Sequence, residues 1–182
     1  MTARYLSLDL STQSLKAILA NEKLEPVHEC VIEFDKDLPE FKTKDGVHHH
    51  SEEQNRITSP TLMWLKAVDL ILMKIREDGV ALNNVRAISG TGQQHGSVYW
   101  KNSARLTLAR LDSRYPMVDQ LQDSFSVLDS PVWMDASTVE QCKKLEEVAG
   151  SAAQLASITG SRAYERFTGS QIAKIFACRF EK

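Results

Sequence analysis

Four stretches of the chain carry residue types whose spacing could do chemistry. Asp9-Leu10-Ser11-Thr12-Gln13 sets a carboxylate at the end of an apolar alternation and follows it with two hydroxyls. Backbone N–H groups and hydroxyls in a tight turn can hold phosphate oxygens, and an adjacent aspartate can bind a hydrated Mg²⁺. The same residues equally serve to stabilise a β-turn, and spacing alone leaves both roles open. Ser89-Gly90-Thr91-Gly92-Gln93-Gln94-His95-Gly96-Ser97 follows an apolar run with a dense polar cluster. Glycine admits a ligand close to the backbone, and Gln94 with His95 offers donors and acceptors suited to polyol or sugar hydroxyls. The glycine spacing is not that of a dinucleotide fingerprint, and no helix pattern follows. Pro131-Val132-Trp133-Met134-Asp135-Ala136-Ser137-Thr138 pairs an aromatic with an acid. Asp135 could face a small polar ligand or begin a helix, with Trp133 in the core. Gly160 to Gly169 holds Arg162, Glu165 and Arg166, in which an arginine fixed by an acid could grip a ligand oxygen or form a surface ion pair.

Other reactive types lack a supporting pattern. His48-His49-His50 has no zinc-site spacing and no accompanying ligand set. Cys30, Cys142 and Cys178 lie far apart, which fits a reducing compartment better than a disulfide framework.

These stretches must be positioned by a mixed set of elements. Leu6, Leu8 and Leu10 alternate with polar residues, predicting a strand over 4–10. Ser11–Ser14 reads as a hairpin turn, with further strands over 15–20 and 27–34. The charged span 35–55 reads as a long loop with little regular structure. Ser59-Pro60 starts a helix that Gly79 ends, and Leu62, Leu65, Val68, Leu72 and Ile75 form its expected core face. Val85–Ser89 predicts a buried strand and 97–100 another extended piece. A short helix and loop are expected over 101–130. Ser137 or Thr138 should cap a helix to Val148 through a capping box with Glu140 or Gln141, and Ser151 a shorter one closed by Gly160. The final helix, from Gln171, carries Ile172, Ile175, Phe176 and Phe180 on one face that needs a partner. This order predicts an α/β layer fold.

Composition narrows the function classes. The 182 residues suffice for one domain or a large part of one. With 42% hydrophobic and 25% charged residues the chain is too apolar to be disordered. Lys plus Arg number 22 against 24 acids, so the basic excess of a general nucleic-acid binder is missing. No apolar run approaches membrane-spanning length, and the start of the chain has no signal-peptide core, so a cytoplasmic setting is expected.

Taken in order, the four stretches resemble the N-terminal portion of the FGGY carbohydrate kinases, most closely those of the eukaryotic xylulose kinase type. The segments are Leu8–Lys16, Ser89–Trp100, Trp133–Thr138 and Gly160–Ile172, and the resemblance runs from Tyr5 to Ile175. It implies an α/β, ribonuclease H-like fold of the actin and hexokinase superfamily, a mixed sheet with flanking helices. Residues 1–182 would form an incomplete first, sugar-binding domain, with the C-terminal nucleotide domain absent and that second domain as natural packing partner. Asp9, Ser11 and Thr12 would then hold phosphate near ATP and Mg, with Asp9 facing the metal. His95, Gln94 and Arg166 would contact D-xylulose, with Asp135 in the same pocket. Ser11 stands where many family members have glycine. The implied activity is ATP-dependent phosphorylation of D-xylulose to D-xylulose 5-phosphate. The resemblance places the general base beyond Lys182, so the chain alone is expected to bind sugar without turning it over. A non-catalytic sugar-binding or regulatory module, or a kinase for another pentulose or polyol, is the alternative.

Overall fold

The computed structural model describes residues 3–180, excepting the side chains of 179 and 180. Phe180, the last member of the apolar face expected on the final helix, thus has its side chain outside the described residues. The chain gathers into two compact units, one comprising 3–48, 59–93 and 98–130, the other 49–58, 94–97 and 131–180.

The first unit is built on β1 (Arg4–Leu10), β2 (Ser14–Ala20), β3 (Pro26–Glu33) and, later in the chain, β6 (Val85–Gly92). Their order is β3-β2-β1-β6, antiparallel through the first three and parallel between β1 and β6. The period of two works as expected: Leu15, Ala17 and Leu19 of β2 are buried with Leu6, Cys30 and Ile32 of the flanking strands. Helix α2 (Thr61–Glu77) packs on β2 and β3. Its buried stripe is Met63, Trp64, Ala67, Ile71 and Ile75, so of the expected face only Ile75 is buried. The helix is apolar around most of its circumference, so spacing admits more than one stripe. The stripe with Ala67 at its centre lets the helix approach the sheet closely. Asp69, at the helix margin, accepts the first backbone N–H groups of α4 (Met117–Leu121), from Met117 and Val118, both at 2.9 Å.

Strand β6 forms as expected but is not buried. Arg86 to Gly92 are exposed, Ile88 by 67%, because β6 is the edge of its sheet and α2 lies over β2 and β3 instead.

The span after β3 is also more ordered than its charge suggests. Helix α1 (Phe34–Asp37) and a 3-10 turn (Pro39–Phe41) bury Phe34 and Leu38, and Val47 is buried further on. The exposed carboxylate of Asp35 accepts from Thr43 Oγ1 (2.6 Å), Asp45 N (2.6 Å) and Gly46 N (3.1 Å). Desolvation pushes its pKa up, but these three donors outweigh it and leave the carboxyl below its ordinary value. Gly46 has φ +76°, and a Cβ there would lie 2.0 Å from the Thr12 carbonyl oxygen. Gly46→Ala is therefore expected to lower the stability of the unit by ~2–4 kcal/mol, since backbone strain and a backbone clash add. A urea midpoint shift reads it, and an unchanged midpoint would contradict the close approach.

Short strands β4 (His48–His49), β5 (Ile57–Pro60) and β7 (Asp129–Pro131) form a second sheet in the order β4-β5-β7. None of the three was expected: β4 falls in the span read as a loop, and β5 and β7 are too short for an alternation to reveal them. Residues 97–100 form no strand; a single antiparallel bridge joins Trp100 to Phe125, whose rings stand 4.5 Å apart. Segment 101–130 holds two short helices, α3 (Ala104–Leu108) and α4.

The second unit contains α5 (Val139–Val148), α6 (Ala152–Thr159) and α7 (Thr168–Phe180). Cys142, Leu155 and Ala163 form its small apolar core. Ser151 caps α6 by accepting from Gln154 N at 3.1 Å, and Gly160 closes it at φ +87°. Thr138 stands at the start of α5 but makes no capping bond, because its hydroxyl is engaged elsewhere. Ile172 and Phe176 of α7 are exposed. Among the described residues no helix is long and apolar enough to cross a membrane.

Candidate functional site

In the second unit the loop before α7 turns tightly, Phe167 N donating to the Tyr164 carbonyl at 3.0 Å. That turn presents Tyr164, Arg166 and Phe167. The His95 ring lies 5.2 Å from that of Phe167, and the Phe167 ring 5.3 Å from that of Tyr164 in an edge-on contact. The guanidinium groups of Arg166 and Arg162 stand 5.7 and 5.5 Å from the Tyr164 ring centroid. An imidazole, two aromatic rings and an exposed guanidinium thus form one continuous surface. Such a surface offers apolar faces for C–H groups and charged donors for hydroxyls, the two halves of sugar recognition.

His95 reaches this surface through a backbone φ of +63°, an uncommon conformation for a non-glycine residue. Strain of this kind is held by its surroundings and concentrates where a side chain must be aimed. Gln94, beside it, is exposed.

Asp135 is only 2% exposed and accepts four hydrogen bonds. Oδ2 accepts from Ile57 N at 2.9 Å; Oδ1 accepts from Ser137 N at 3.1 Å, Ser137 Oγ at 2.6 Å and Gln171 Nε2 at 2.7 Å. Ser137 Oγ in turn accepts from Lys174 Nζ at 2.7 Å, and Lys174 also pairs with Glu53. Protein donors occupy the carboxylate, so a ligand could reach it only by displacing them. Trp133, expected in the core, is 44% exposed. His50 Nε2 stands 2.8 Å from Thr58 Oγ1.

The phosphate-type candidates belong to the first unit. Ser11 N donates to Ser14 O at 2.9 Å, closing the β1–β2 hairpin, and Ser11 Oγ lies 3.4 Å from Asp9 Oδ2. Asp9 is exposed and sits opposite Thr91 in the parallel β1–β6 register. Ligands favour the carboxyl ends of parallel strands, which is where Asp9, Ser11, Thr12 and Thr91 stand. No cluster of three or more His, Cys, Asp or Glu fit to hold a metal occurs among the described residues. A cation here would have one carboxylate plus water and phosphate oxygens, an arrangement that suits Mg²⁺ and not zinc. His48 is committed to structure in this unit, its Nε2 2.8 Å from the Phe41 carbonyl.

The structure therefore brings Gln94, His95, Asp135 and Arg166 into one unit, and Asp9, Ser11 and Thr12 into the other. Tyr164 and Phe167 lie within the glycine-bounded stretch 160–169 but are not among its expected site residues. The available signal is a pair of aromatics bracketing Glu165 and Arg166 between two glycines. The sequence marks Thr138 only as a helix cap and Gln171 only as a helix start, because the bonds they make to Glu165 and Asp135 are set by the fold.

No protein-family model matches the chain. It is 49% identical over 177 residues to xylulose kinase 2 of Arabidopsis thaliana, covering 97% of this chain and 32% of that protein. It is 51% identical over 171 residues to the xylulose kinase of Mus musculus, covering 94% of this chain and 31% of that one. The crystal structure of a xyloylose kinase from Brucella ovis superposes with a TM-score of 0.67 at 20% identity, over 98% of this chain and 30% of the other. That likeness carries the fold, a mixed α/β architecture. The chain spans about a third of the length of the curated relatives it matches. Half-identity across nearly all of its own residues makes the chain a homologue of the FGGY-family xylulose kinases.

Proposed function

We propose that the chain supplies the sugar-binding part of an ATP-dependent kinase that converts D-xylulose to D-xylulose 5-phosphate. The observation that carries this reading is the surface of His95, Phe167, Tyr164 and Arg166. Its similarity to plant and animal xylulose kinases supports the choice of a ketopentose. In this reading residues 1–182 belong to a first, sugar-binding domain whose packing partner is the nucleotide domain of a longer protein.

In the transfer, the sugar 5-hydroxyl oxygen forms a bond to the γ-phosphorus of ATP, the bond to ADP breaks, and the hydroxyl proton leaves to a base. Catalysis of this step depends on positioning and charge neutralisation. His95 and Gln94 accept from and donate to sugar hydroxyls. Arg166 donates to a further oxygen, held in its plane by the Tyr164 ring. Asp135 acts through the loop it anchors. Asp9, Ser11 and Thr12 form a cradle for phosphate, and Asp9 would hold the hydration shell of Mg²⁺, whose charge helps neutralise the phosphates when bound.

Calorimetric titration of the 182-residue chain with D-xylulose, and separately with D-ribulose and glycerol, tests the reading. Saturable heat with D-xylulose and weaker binding of the other two is expected. Tighter binding of glycerol or ribulose would reassign the substrate. A parallel ADP-release assay separates binding from turnover: binding without release assigns only recognition to this chain.

A further inference from the structure

The geometry points to Gln171 as the positioning residue of the sugar-facing loop, with Thr138 as its partner. This rests on the sugar-binding reading of the His95–Arg166 surface. Gln171 sits in the first turn of α7 and is 2% exposed, away from that surface. Its two amide hydrogens are both spent: one on Asp135 Oδ1 at 2.7 Å, the other on the Glu165 carbonyl at 3.1 Å. Thr138 Oγ1 donates to that same carbonyl at 2.6 Å. Both lone pairs of one peptide oxygen are thereby engaged by buried donors.

The position of that oxygen is what matters. Glu165 is flanked by Tyr164 and Arg166, and the next residue, Phe167, bears on His95. The following backbone bonds, Ser170 N and Gln171 N to the Phe167 carbonyl at 3.1 and 3.2 Å, tie the same turn to the start of α7. Two donors that approach one carbonyl from separate elements fix the peptide plane, and with it the directions of the side chains on either side. Asp135 orients the Gln171 amide, because a carboxylate accepts and leaves only the NH₂ end facing it. The chain of orientation runs from Asp135 through Gln171 to Glu165 and so to Arg166. Small misplacement of a binding group costs binding disproportionately, so a residue that touches no ligand can control affinity.

Gln171→Glu is the informative substitution. It keeps size but presents a carboxylate to the Asp135 carboxylate and to a carbonyl, neither of which can donate. Lys174 and Glu53 face the same cluster through Ser137, and the Cys142 thiol lies 3.4 Å from Ser170 Oγ. At pH 8 D-xylulose affinity is expected to fall about tenfold relative to the parent chain. As the pH is lowered toward 5 the new carboxyl takes a proton and donates to Asp135, so affinity should recover relative to the parent measured at each pH. Thr138→Val provides a second variant that removes one donor to Glu165 without adding charge, with an expected loss of a few-fold. Affinities of both variants that follow the parent at every pH would overturn the proposal. If the parent binds no sugar, the sugar reading fails separately. Amide exchange at Arg166 and Phe167 then decides: acceleration in either variant supports the positioning role, and unchanged protection refutes it.

Discussion

Asp135→Ala is expected to be the most destabilising single substitution in the second unit, lowering its unfolding free energy by ~3–5 kcal/mol. The removed carboxylate deprives Ile57 N–H, Ser137 N–H and one hydrogen of the buried Gln171 amide of their acceptor in a largely buried place. Unpaired buried donors cost more than the hydrogen bonds they formerly made. The damage spreads because the partners come from residues as far apart as 57 and 171, so segment 49–58 and helix α7 loosen together. Asp135→Asn keeps one acceptor oxygen and should cost roughly half as much. Amide exchange at Ile57 and Ser137 reads the effect locally, and denaturant unfolding reads it globally. A loss below about 1 kcal/mol for the alanine variant would show that the four bonds do not act as a unit.

Arg166→Ala should weaken D-xylulose binding about 10–100-fold, the cost of a charge-assisted contact to a ligand oxygen. The fold should barely respond, because Arg166 is exposed and, among the described residues, its contact is with the Tyr164 ring. Arg166→Lys restores the charge but not the planar group against Tyr164, so only part of the affinity should return. His95→Ala is expected to lose a comparable amount of binding. His95→Gly separates aim from strain: it relieves the φ of +63° and should be at least as stable as the alanine variant while binding no better. Calorimetry together with thermal unfolding of the four variants and the parent distinguishes these outcomes. Equal affinity in Arg166→Ala and parent would remove Arg166 from the site.

Local periodicity and end signals made much of this architecture readable in advance. The leucine alternation of β1, the hairpin at Ser11, the Ser59-Pro60 start of α2 and the Ser151 to Gly160 limits of α6 all depend on residues close in sequence. What escaped depends on distant ones. The buried stripe of α2 differs from the expected one because Leu62, Leu65, Val68 and Leu72 are as apolar as Met63 and Ile71, and only the sheet decides which side it meets. Strand β6 looked internal from its side chains, whereas its exposure follows from its place at an edge. Thr138 had the type of a helix cap, yet its hydroxyl is drawn to a carbonyl 27 residues away. The charged span 35–55 concealed Leu38 and Val47, and Phe34, expected to end β3, instead begins the helix that folds this span around the Asp35 carboxylate.

In the candidate site the same division holds. His95, Gln94 and Arg166 were readable from polar residues crowded between glycines, together with the ordered resemblance to the kinase family. Asp135 was readable as a residue of interest, but its own burial and the four hydrogen bonds it accepts mark it as an anchor of the loop. Gln171 carries only the mark of a helix start, since its two acceptors lie 36 and 6 residues away.

The central claim is that His95 and the Tyr164–Phe167 turn together receive a ketopentose. A two-dimensional NMR titration of the isotope-labelled 182-residue chain with D-xylulose tests it most directly. Saturable shifts should appear at His95, Tyr164, Arg166 and Phe167, fitting one dissociation constant that rises about 10–100-fold in Arg166→Ala. Absence of saturable shifts up to about 50 mM sugar, or saturation confined to residues outside this set, would contradict the account.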